Sequence, residues 1–232
     1  MQADNANGPV LTAVELSRVF GSGDTAVTAL SGISLTVQQG DFLAVTGRSG
    51  SGKTTLLNLL SGLDSPTTGT VHFHGDDLAN LRESDLVEMR RHKIGFVFQS
   101  FGLMPLLSAQ ENVELPLHIG GASWRERRQK ATEALRAVGL GTRARHRPFE
   151  LSGGEQQRVS IARALVTEPE VVFADEPTGE LDTATARSIA ETLGEVAASR
   201  RATVIVATHD LDLAATAQRR LDLVDGMIVS QG

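Results

Sequence analysis

Glycines, a lysine and a hydroxyl occur at the spacing of a phosphate-binding loop in Gly47-Arg48-Ser49-Gly50-Ser51-Gly52-Lys53-Thr54. In such a loop the backbone N–H groups turn inward to cradle phosphate oxygens, and the following helix adds the positive end of its dipole. Lys53 would reach the terminal phosphates, Thr54 would ligate Mg²⁺, and Thr55 completes the predicted binding residues. The alternative is a glycine-rich turn with an accidental Lys-Thr pair. The loop predicts a nucleoside triphosphate site, but alone it does not separate a kinase, a GTPase and a transport ATPase.

Two adjacent acids follow an apolar run in Val171-Val172-Phe173-Ala174-Asp175-Glu176. An α/β sheet places its chemistry at the carboxyl ends of its strands, so both acids are candidates for catalysis. Asp175 would hold Mg²⁺ through water, and Glu176 would polarise the water that attacks the γ-phosphate. The alternative is a strand exit at which Glu176 is merely solvated, and the phosphate loop upstream favours the catalytic interpretation.

A second anion-binding segment is indicated by Leu151-Ser152-Gly153-Gly154-Glu155-Gln156-Gln157-Arg158. A Ser-Gly-Gly turn that leads into a helix presents N–H groups and a capping hydroxyl at the helix start. Nucleotide binding is therefore assigned to Ser152, Gly153, Gly154 and Glu155 as well. One chain thus carries two phosphate-binding helix ends.

An α/β fold must position these segments, because short apolar runs alternate with longer amphipathic stretches. This pattern is typical of βα units around a mostly parallel sheet, which carries ligands at its strand ends. The predicted core strands are Phe42–Thr46, Ile94–Phe98, Glu170–Ala174 and Thr203–Ala207, and the predicted helices are Lys53–Ser61 and Ala184–Ser199.

Three stretches predict β-structure at the periphery of this core. Residues 14–20 predict a strand, residues 70–75 predict part of an antiparallel hairpin beside the main sheet, and residues 221–229 predict a hairpin about Asp225-Gly226. We therefore predict an antiparallel β subdomain attached to the core.

The character of the chain changes between residues 99 and 163. Pro105, Pro116 and Pro148 punctuate helical pieces, and Ser123 caps a charged helix that runs to Val138. We predict a helical subdomain over 99–163, a nucleotide-binding core over 11–98 and 164–232, and a flexible N-terminal tail over 1–10.

Composition limits the classes of function. The 232 residues include 22 Lys and Arg against 28 Asp and Glu, so no general basic field favours nucleic acid, and none is expected as a partner. With no cysteine there is no disulfide framework and no thiolate metal site, which fits a reducing cytoplasm without proving it. No signal peptide and no apolar run of about 20 residues is found. A membrane role is therefore expected to depend on a partner.

The order of these motifs resembles the ATP-binding subunit of ABC transporters, over nearly the whole chain from about Leu11 to Val229. The resemblance implies a P-loop NTPase core with a helical signature subdomain, and two subunits paired head to tail around two ATP and Mg²⁺. It implies that Gln99 senses Mg²⁺ and the attacking water, and that His209 contacts the γ-phosphate. Either could otherwise be an ordinary strand-end residue.

The resemblance also implies contacts for the base and between subunits. Phe20 matches the aromatic that stacks on adenine, although it could instead be a core residue at a strand end. Asp182 matches the loop through which the two subunits touch. Glu180 departs from the small or amide residue expected there, and Glu155 replaces the commonest Gln of the signature.

The stretch Phe101-Gly102-Leu103-Met104-Pro105-Leu106-Leu107, the docking segment below, is too apolar for a solvent loop and too broken for a regular helix. In the resembled family it receives a short cytoplasmic helix of the membrane permease, which would place the chain at the cytoplasmic side of the cell membrane. The alternative is a local core of the helical subdomain.

Runs such as Lys93–Gln99 and Glu111–Leu117 resemble the subgroup for lipoprotein release, macrolide export and antimicrobial-peptide export, with the division-associated ATPase nearby. A different class of function is a soluble ABC ATPase acting on ribosomes or DNA, but such proteins usually fuse two cassettes or insert a long coiled coil. A P-loop kinase would have no use for the Ser-Gly-Gly signature or His209.

Overall fold

The structure is a computed structural model, and it describes residues 8–199 and 202–232. Most of the predicted N-terminal tail therefore lies outside the described residues. The strands are β1 Leu11–Phe20, β2 Val27–Val37, β3 Phe42–Thr46, β4 Thr68–Phe73, β5 Asp76–Asp77, β6 Ile94–Phe98, β7 Val171–Asp175, β8 Thr203–Thr208, β9 Arg219–Val224 and β10 Met227–Gln231. The α-helices are α1 Lys53–Leu60, α2 Glu83–Lys93, α3 Ala109–Ile119, α4 Trp124–Ala137, α5 Gly153–Leu165, α6 Thr183–Ala198 and α7 Leu211–Thr216.

The central sheet has the strand order β10-β9-β3-β8-β7-β6, and all of its pairs are parallel except β10 with β9. A four-stranded antiparallel sheet has the order β2-β1-β4-β5. The predicted α/β class with a mostly parallel sheet and an antiparallel β subdomain is confirmed. Because the phosphate-loop strand β3 and the acid-bearing strand β7 both flank β8, their carboxyl ends lie close together.

The core divides into two layers across the central sheet. Along β3, Phe42 and Ala44 face one layer, whereas Leu43 and Val45 face the other. Helices α5 and α6 pack on the first face, with α3 and α4 packed against α5, and α1 lies on the second face between the central and antiparallel sheets. Such burial on both faces is why the central strands are near-continuous apolar runs.

Local signals explain most of the elements. Asp225 and Gly226 both have positive φ, at 45° and 75°, as a two-residue turn between β9 and β10 requires. His74 and Gly75 make a turn of the same kind between β4 and β5. Ser123 caps α4 through a bond from the Glu126 N–H, as predicted.

One prediction about the helices is wrong. Pro116 does not separate two helical pieces, because it lies inside α3. The Ser108–Glu111 capping box starts that helix, and burial of Val113 and Leu117 stabilises it on both sides of the proline. Packing and capping together outweigh the backbone hydrogen bond that the proline removes. Among the described residues, no helix combines the length and apolarity needed to span a membrane.

Candidate active site

The phosphate loop joins β3 to α1, as predicted. Gly52 caps α1 with a φ of 102°, and a Cβ at this position would lie 2.5 Å from the Ala29 carbonyl oxygen, so the position requires glycine. The Lys53 side chain is only 7% exposed, and its Nζ donates hydrogen bonds to the carbonyl oxygens of Gly47, at 2.9 Å, and Arg48, at 3.2 Å. The lysine charge is therefore held at the centre of the loop.

Asp175 lies at the end of β7 and meets the start of α1. Its Oδ2 accepts a hydrogen bond from the Thr54 hydroxyl at 2.8 Å, which joins the two predicted metal-binding residues. Burial raises the pKa of Asp175, and the nearby charge of Glu176 also raises it, against the opposing effects of Thr54 and Lys53. An ionised Asp175 therefore gains from a cation close to it.

These oxygens fit Mg²⁺. The Oδ1 atom of Asp175 is buried and has no hydrogen-bond partner within the described part of the chain, and Thr54 adds a hydroxyl. Within the described ranges, no cluster of three or more His, Cys, Asp or Glu could hold a metal. Mg²⁺ is commonly held by one or two protein oxygens together with substrate phosphates and water, and this donor set matches that arrangement.

Glu176 is fixed at both carboxylate oxygens. Its Oε1 lies 3.3 Å from Lys53 Nζ, and its Oε2 accepts from the Nδ1 and backbone N–H of His209, at 2.8 and 3.2 Å. Its backbone has a φ of 46°, in the left-handed region, and its N–H donates to the Ala207 carbonyl oxygen at 2.8 Å. Strain of this kind is typical of functional positions whose surroundings hold the conformation in place.

Gln99 follows β6 directly and is exposed at the same edge of the sheet. A Cβ at Gly179 would lie 3.2 Å from Gln99 Nε2, so the amide contacts the loop that leaves Glu176. His209 follows β8, and its side chain is 66% exposed. The structure thus brings Gln99, Glu176 and His209 to one edge, beside the phosphate loop.

The signature residues cap helix α5. Ser152 Oγ accepts from the Glu155 N–H, and Glu155 accepts from the Ser152 N–H at 2.9 Å, which makes a complete capping box. These hydrogen bonds, led by that from Ser152, lower the pKa of Glu155, so its carboxylate stays ionised. Arg143 also donates to Glu155 at 3.0 Å. Glu155 is therefore well suited to the position where Gln is commonest.

The start of α5 packs against the first turn of α6 and the segment that leads into it. A Cβ at Gly154 would lie 2.2 Å from Thr185 Cγ2, and one at Gly153 would lie 3.4 Å from Leu181 Cδ2. Across the described ranges, no hydrogen bond joins the signature residues to the phosphate loop of the same chain. A single chain therefore does not assemble its two phosphate-binding ends into one site through such bonds.

Asp182 and Phe20 have local contacts of their own. Asp182 caps α6 by accepting from the N–H groups of Ala184 and Thr185, both at 3.1 Å, and the Thr185 hydroxyl lowers its pKa most. Glu180 is exposed. Phe20 ends β1, is 43% exposed, and carries the Arg18 guanidinium 4.6 Å from its ring centre. This ring is thus not a core residue.

The docking segment contains no regular helix or strand. Asn112 holds it from α3, because its side chain accepts from the Met104 N–H at 2.7 Å and donates to the Met104 and Leu107 carbonyl oxygens. Met104 and Leu106 remain 49% and 80% exposed. The segment therefore has a fixed backbone and an exposed apolar surface.

Two residues of α5 were not predicted to have a role. Gln157 is fully buried and donates to the carbonyl oxygens of Phe98, which precedes Gln99, and Pro177, which follows Glu176. Arg163 donates to the carbonyl oxygens of Phe101 and Gly102 in the docking segment. A sequence signal existed for Gln157, because it lies on the same buried helical face as Gly154 and Ile161.

Comparison with known proteins gives one consistent result. The model of the family described as "ABC transporter" matches residues 30–179. The chain is 47% identical over 221 residues to the lipoprotein-releasing system ATP-binding protein LolD of Geobacter metallireducens, covering 95% of this chain and 98% of that protein. It is also 47% identical over 222 residues to the macrolide export ATP-binding/permease protein MacB of Hyphomonas neptunium, covering 96% of this chain. The chain spans 34% of the length of that MacB protein.

Solved structures agree. The dimeric structure of MJ0796, a bacterial ABC transporter cassette, is 41% identical with a TM-score of 0.88, covering 96% of this chain and 97% of the other. A dimeric structure of the same cassette in a post-hydrolysis state bound to ADP and Pi is 40% identical, also with a TM-score of 0.88 and the same coverage.

Proposed function

This chain belongs to the ABC transporter family, and we propose that it is an ATP-binding and ATP-hydrolysing subunit that closes as a dimer around two ATP to drive a membrane-embedded permease. The observation that carries this proposal is the position of the Glu176 carboxylate, held between Lys53 Nζ and His209 Nδ1. A phosphate-binding lysine and a candidate base are thereby fixed within one hydrogen-bonded group.

The proposed binding step uses the phosphate loop. The loop N–H groups and Lys53 bind the β- and γ-phosphates, with the buried Ser51 hydroxyl, which lacks a partner in the described chain, as a further donor. Thr54 and Asp175, with Gln99 beside them, would hold Mg²⁺. Bound there, Mg²⁺ would neutralise charge on the phosphate oxygens. Phe20 would stack on adenine at the end of β1.

The proposed chemical step uses the strand ends of β6, β7 and β8. Glu176 accepts a hydrogen bond from the attacking water and aligns it with the γ-phosphate. His209 contacts the γ-phosphate and keeps Glu176 oriented through its Nδ1. Gln99 contacts Gly179 in the loop after Glu176, and the docking segment follows Gln99 closely in the chain. A change at the γ-phosphate would therefore reach the docking segment through Gln99.

The proposed dimer supplies the remaining contacts. Ser152, Gly153 and Gly154 of one subunit would close the site formed by the phosphate loop of its partner, and Asp182 would lie at the subunit contact. The dimeric MJ0796 cassettes support this arrangement, since they share the fold over nearly the whole chain.

The proposed setting is the cytoplasmic face of a membrane, reached through a permease that binds the docking segment. The similarity to LolD and MacB supports an export or mechanotransmission system for a lipoprotein, a macrolide or a peptide. Residues that select the cargo are expected on the permease.

Analytical size exclusion of Glu176→Gln, with and without Mg-ATP, tests the proposal. We expect Mg-ATP to shift the variant from monomer to dimer while turnover falls about 10²- to 10⁴-fold, because binding groups remain and the base is lost. Glu195→Gln, which removes an exposed carboxylate on α6, should behave like the parent protein. Lys53→Ala should weaken nucleotide binding itself.

Two results would count against the proposal. Unchanged turnover in Glu176→Gln would show that Glu176 is not the catalytic base. A variant that binds Mg-ATP and stays monomeric would show that the chain does not close as a dimer by itself.

A further inference from the structure

Gln157 lies between the signature and the catalytic strand ends. Its side chain is fully buried, and its Nε2 donates to the Pro177 carbonyl oxygen at 2.7 Å and to the Phe98 carbonyl oxygen at 3.4 Å. Pro177 immediately follows Glu176 in the chain, and Phe98 immediately precedes Gln99. One amide group thus holds carbonyl groups of the residues next to Gln99 and Glu176, two of the three proposed catalytic residues.

This arrangement costs stability, so packing alone does not explain why glutamine occupies position 157. The Oε1 atom of Gln157 is buried and has no hydrogen-bond partner in the described part of the chain. The amide cannot turn around to relieve this, because both of its bonding partners are carbonyl oxygens, which accept hydrogen bonds and cannot donate one to Oε1. An apolar side chain of the same length would avoid burying an unpaired acceptor, so the two donated bonds are the distinctive feature of this residue.

Gln157 also belongs to the helix that starts at the signature. It lies about one and a half turns after Ser152, on a helix whose start is packed tightly against Thr185 through Gly154. A rigid helix transmits a displacement of its first turn to its second. Binding of a phosphate at Ser152 would therefore move or fix the amide that holds the loops of Glu176 and Gln99.

We propose that Gln157 is a positioning residue that couples the two composite ATP sites of the dimer. This inference rests on the proposed dimer, in which the signature of a chain serves the partner's ATP while Glu176 serves the chain's own. Gln157 links these two functions within one chain, so that engagement of the signature at one site aligns the base at the other.

The test uses two full-length copies joined by a flexible linker, so that each copy can be changed separately. Glu176→Gln in the second copy stops hydrolysis at one site and leaves turnover only at the site of the first copy's Glu176. Ser152→Ala in the first copy then perturbs the signature that serves the silent site. The rate effect of Ser152→Ala is measured with Gln, and separately with Met, at position 157 of the first copy.

We expect Ser152→Ala to lower the rate about fivefold or more with Gln157 present, within the usual range of coupling between sites, and less than about twofold with Gln157→Met. Gln157→Met placed in the second copy is the matched control, and it should leave the full effect of Ser152→Ala. Gln157→Asn, which keeps the amide but shortens its reach, replaces Met if that variant does not fold.

An equal effect of Ser152→Ala with and without the Gln157 amide would overturn the inference, as would no effect in either background. If a linked dimer that carries only Glu176→Gln in one copy has no steady-state turnover, because its silent site keeps the dimer closed, the same comparison is made on a single round of ATP cleavage. No cleavage there either would instead contradict the composite-site mechanism on which the inference rests.

Discussion

The burial of Asp175 disfavours its ionised form, although its proposed role in binding Mg²⁺ needs that form. Desolvation raises its pKa most, and the neighbouring Glu176 raises it further, so in the folded protein the ionised form is disfavoured relative to the unfolded chain. The same unpaired oxygen that costs stability is the one available to Mg²⁺. Stability and ligand binding therefore conflict at this residue.

Asp175→Asn should raise the melting temperature of the protein at neutral pH in buffer without nucleotide and with a chelator. A group with a raised folded-state pKa contributes its stability below the ordinary carboxyl pKa, and that contribution is lost as pH rises through the folded pKa. The advantage of Asp175→Asn should therefore shrink as pH falls toward the ordinary aspartate range. Thermal unfolding measured from about pH 4 to pH 8 checks this, and Mg-ATP turnover of the variant should be strongly reduced.

Asp182→Asn is the control of opposite sign. The Thr185 hydroxyl and two backbone N–H groups lower the pKa of Asp182, so its contribution is present above the ordinary pKa and lost as pH falls. Asp182→Asn should not raise the melting temperature at neutral pH. A gain of stability in both variants would show a general effect of lost acidic charge and not the burial of Asp175.

At the scale of elements, the contact between α5 and α6 depends on a glycine. A methyl group at Gly154 would lie 2.2 Å from Thr185 Cγ2, but 3.5 Å from Thr185 Cβ and 3.6 Å from its Oγ1. Gly154→Ala should therefore lower the free energy of unfolding by about 1–3 kcal/mol, the usual range for overpacking. Adding Thr185→Ser removes only the clashing methyl and keeps the hydroxyl that bonds Asp182.

Chemical denaturation of the single and double variants measures this prediction. Most of the lost stability should return in the Gly154→Ala/Thr185→Ser protein, and Thr185→Ser alone is the matched control. If the double variant is no more stable than Gly154→Ala, the clash with Thr185 is not the cause. ATPase activity that stays low after stability returns would assign Gly154 a separate role in close approach to phosphate.

Elements whose burial follows a simple period were predictable from sequence, whereas strand β2 and helix α2, whose burial has no simple period, were not. The four predicted core strands agree with β3, β6, β7 and β8 to within a residue or two. Strand β2 was not predicted, because its buried residues Leu30, Ile33, Leu35 and Val37 are spaced by three and then by two across the irregularity at Gly32. Helix α2 has Met89 as its single buried residue and thus lacks an apolar stripe.

The site was predictable where one short segment carries the chemistry. The phosphate loop and the Asp175-Glu176 pair are each recognisable from a few consecutive residues, and the structure places the two segments together. Gln157 bonds to Phe98, 59 positions away in the chain, and to Pro177, 20 positions away. Arg163 bonds to Gly102 and Phe101, which are 61 and 62 positions away. Only the fold brings those partners together, so helical spacing could indicate that Gln157 is buried but not which groups it or Arg163 bonds.

At the scale of the whole molecule, helix α5 connects the candidate active site with the proposed permease contact. Arg163 is partly buried, which lowers its pKa, and it donates to the carbonyl oxygens of Phe101 and Gly102, both of which have positive φ. Asn112 holds the same segment from α3. The docking segment is therefore fixed to the helix that begins at the signature, and force on it would reach the nucleotide-binding surfaces.

Met104→Asp should abolish association with the permease while ATP hydrolysis by the isolated subunit stays within about twofold of the parent. Met104 is 49% exposed and outside the catalytic contacts, and burying an unpaired carboxylate in an apolar interface is strongly unfavourable. Co-purification of a membrane-embedded partner from detergent-solubilised membranes measures association. Trp124→Asp is the control, because it places the same charge at an exposed aromatic of the helical subdomain outside the docking segment. If Met104→Asp retains the permease, or if only Trp124→Asp loses it, the permease contact does not lie at the docking segment. Helix α5 would then not connect the permease with the ATP site.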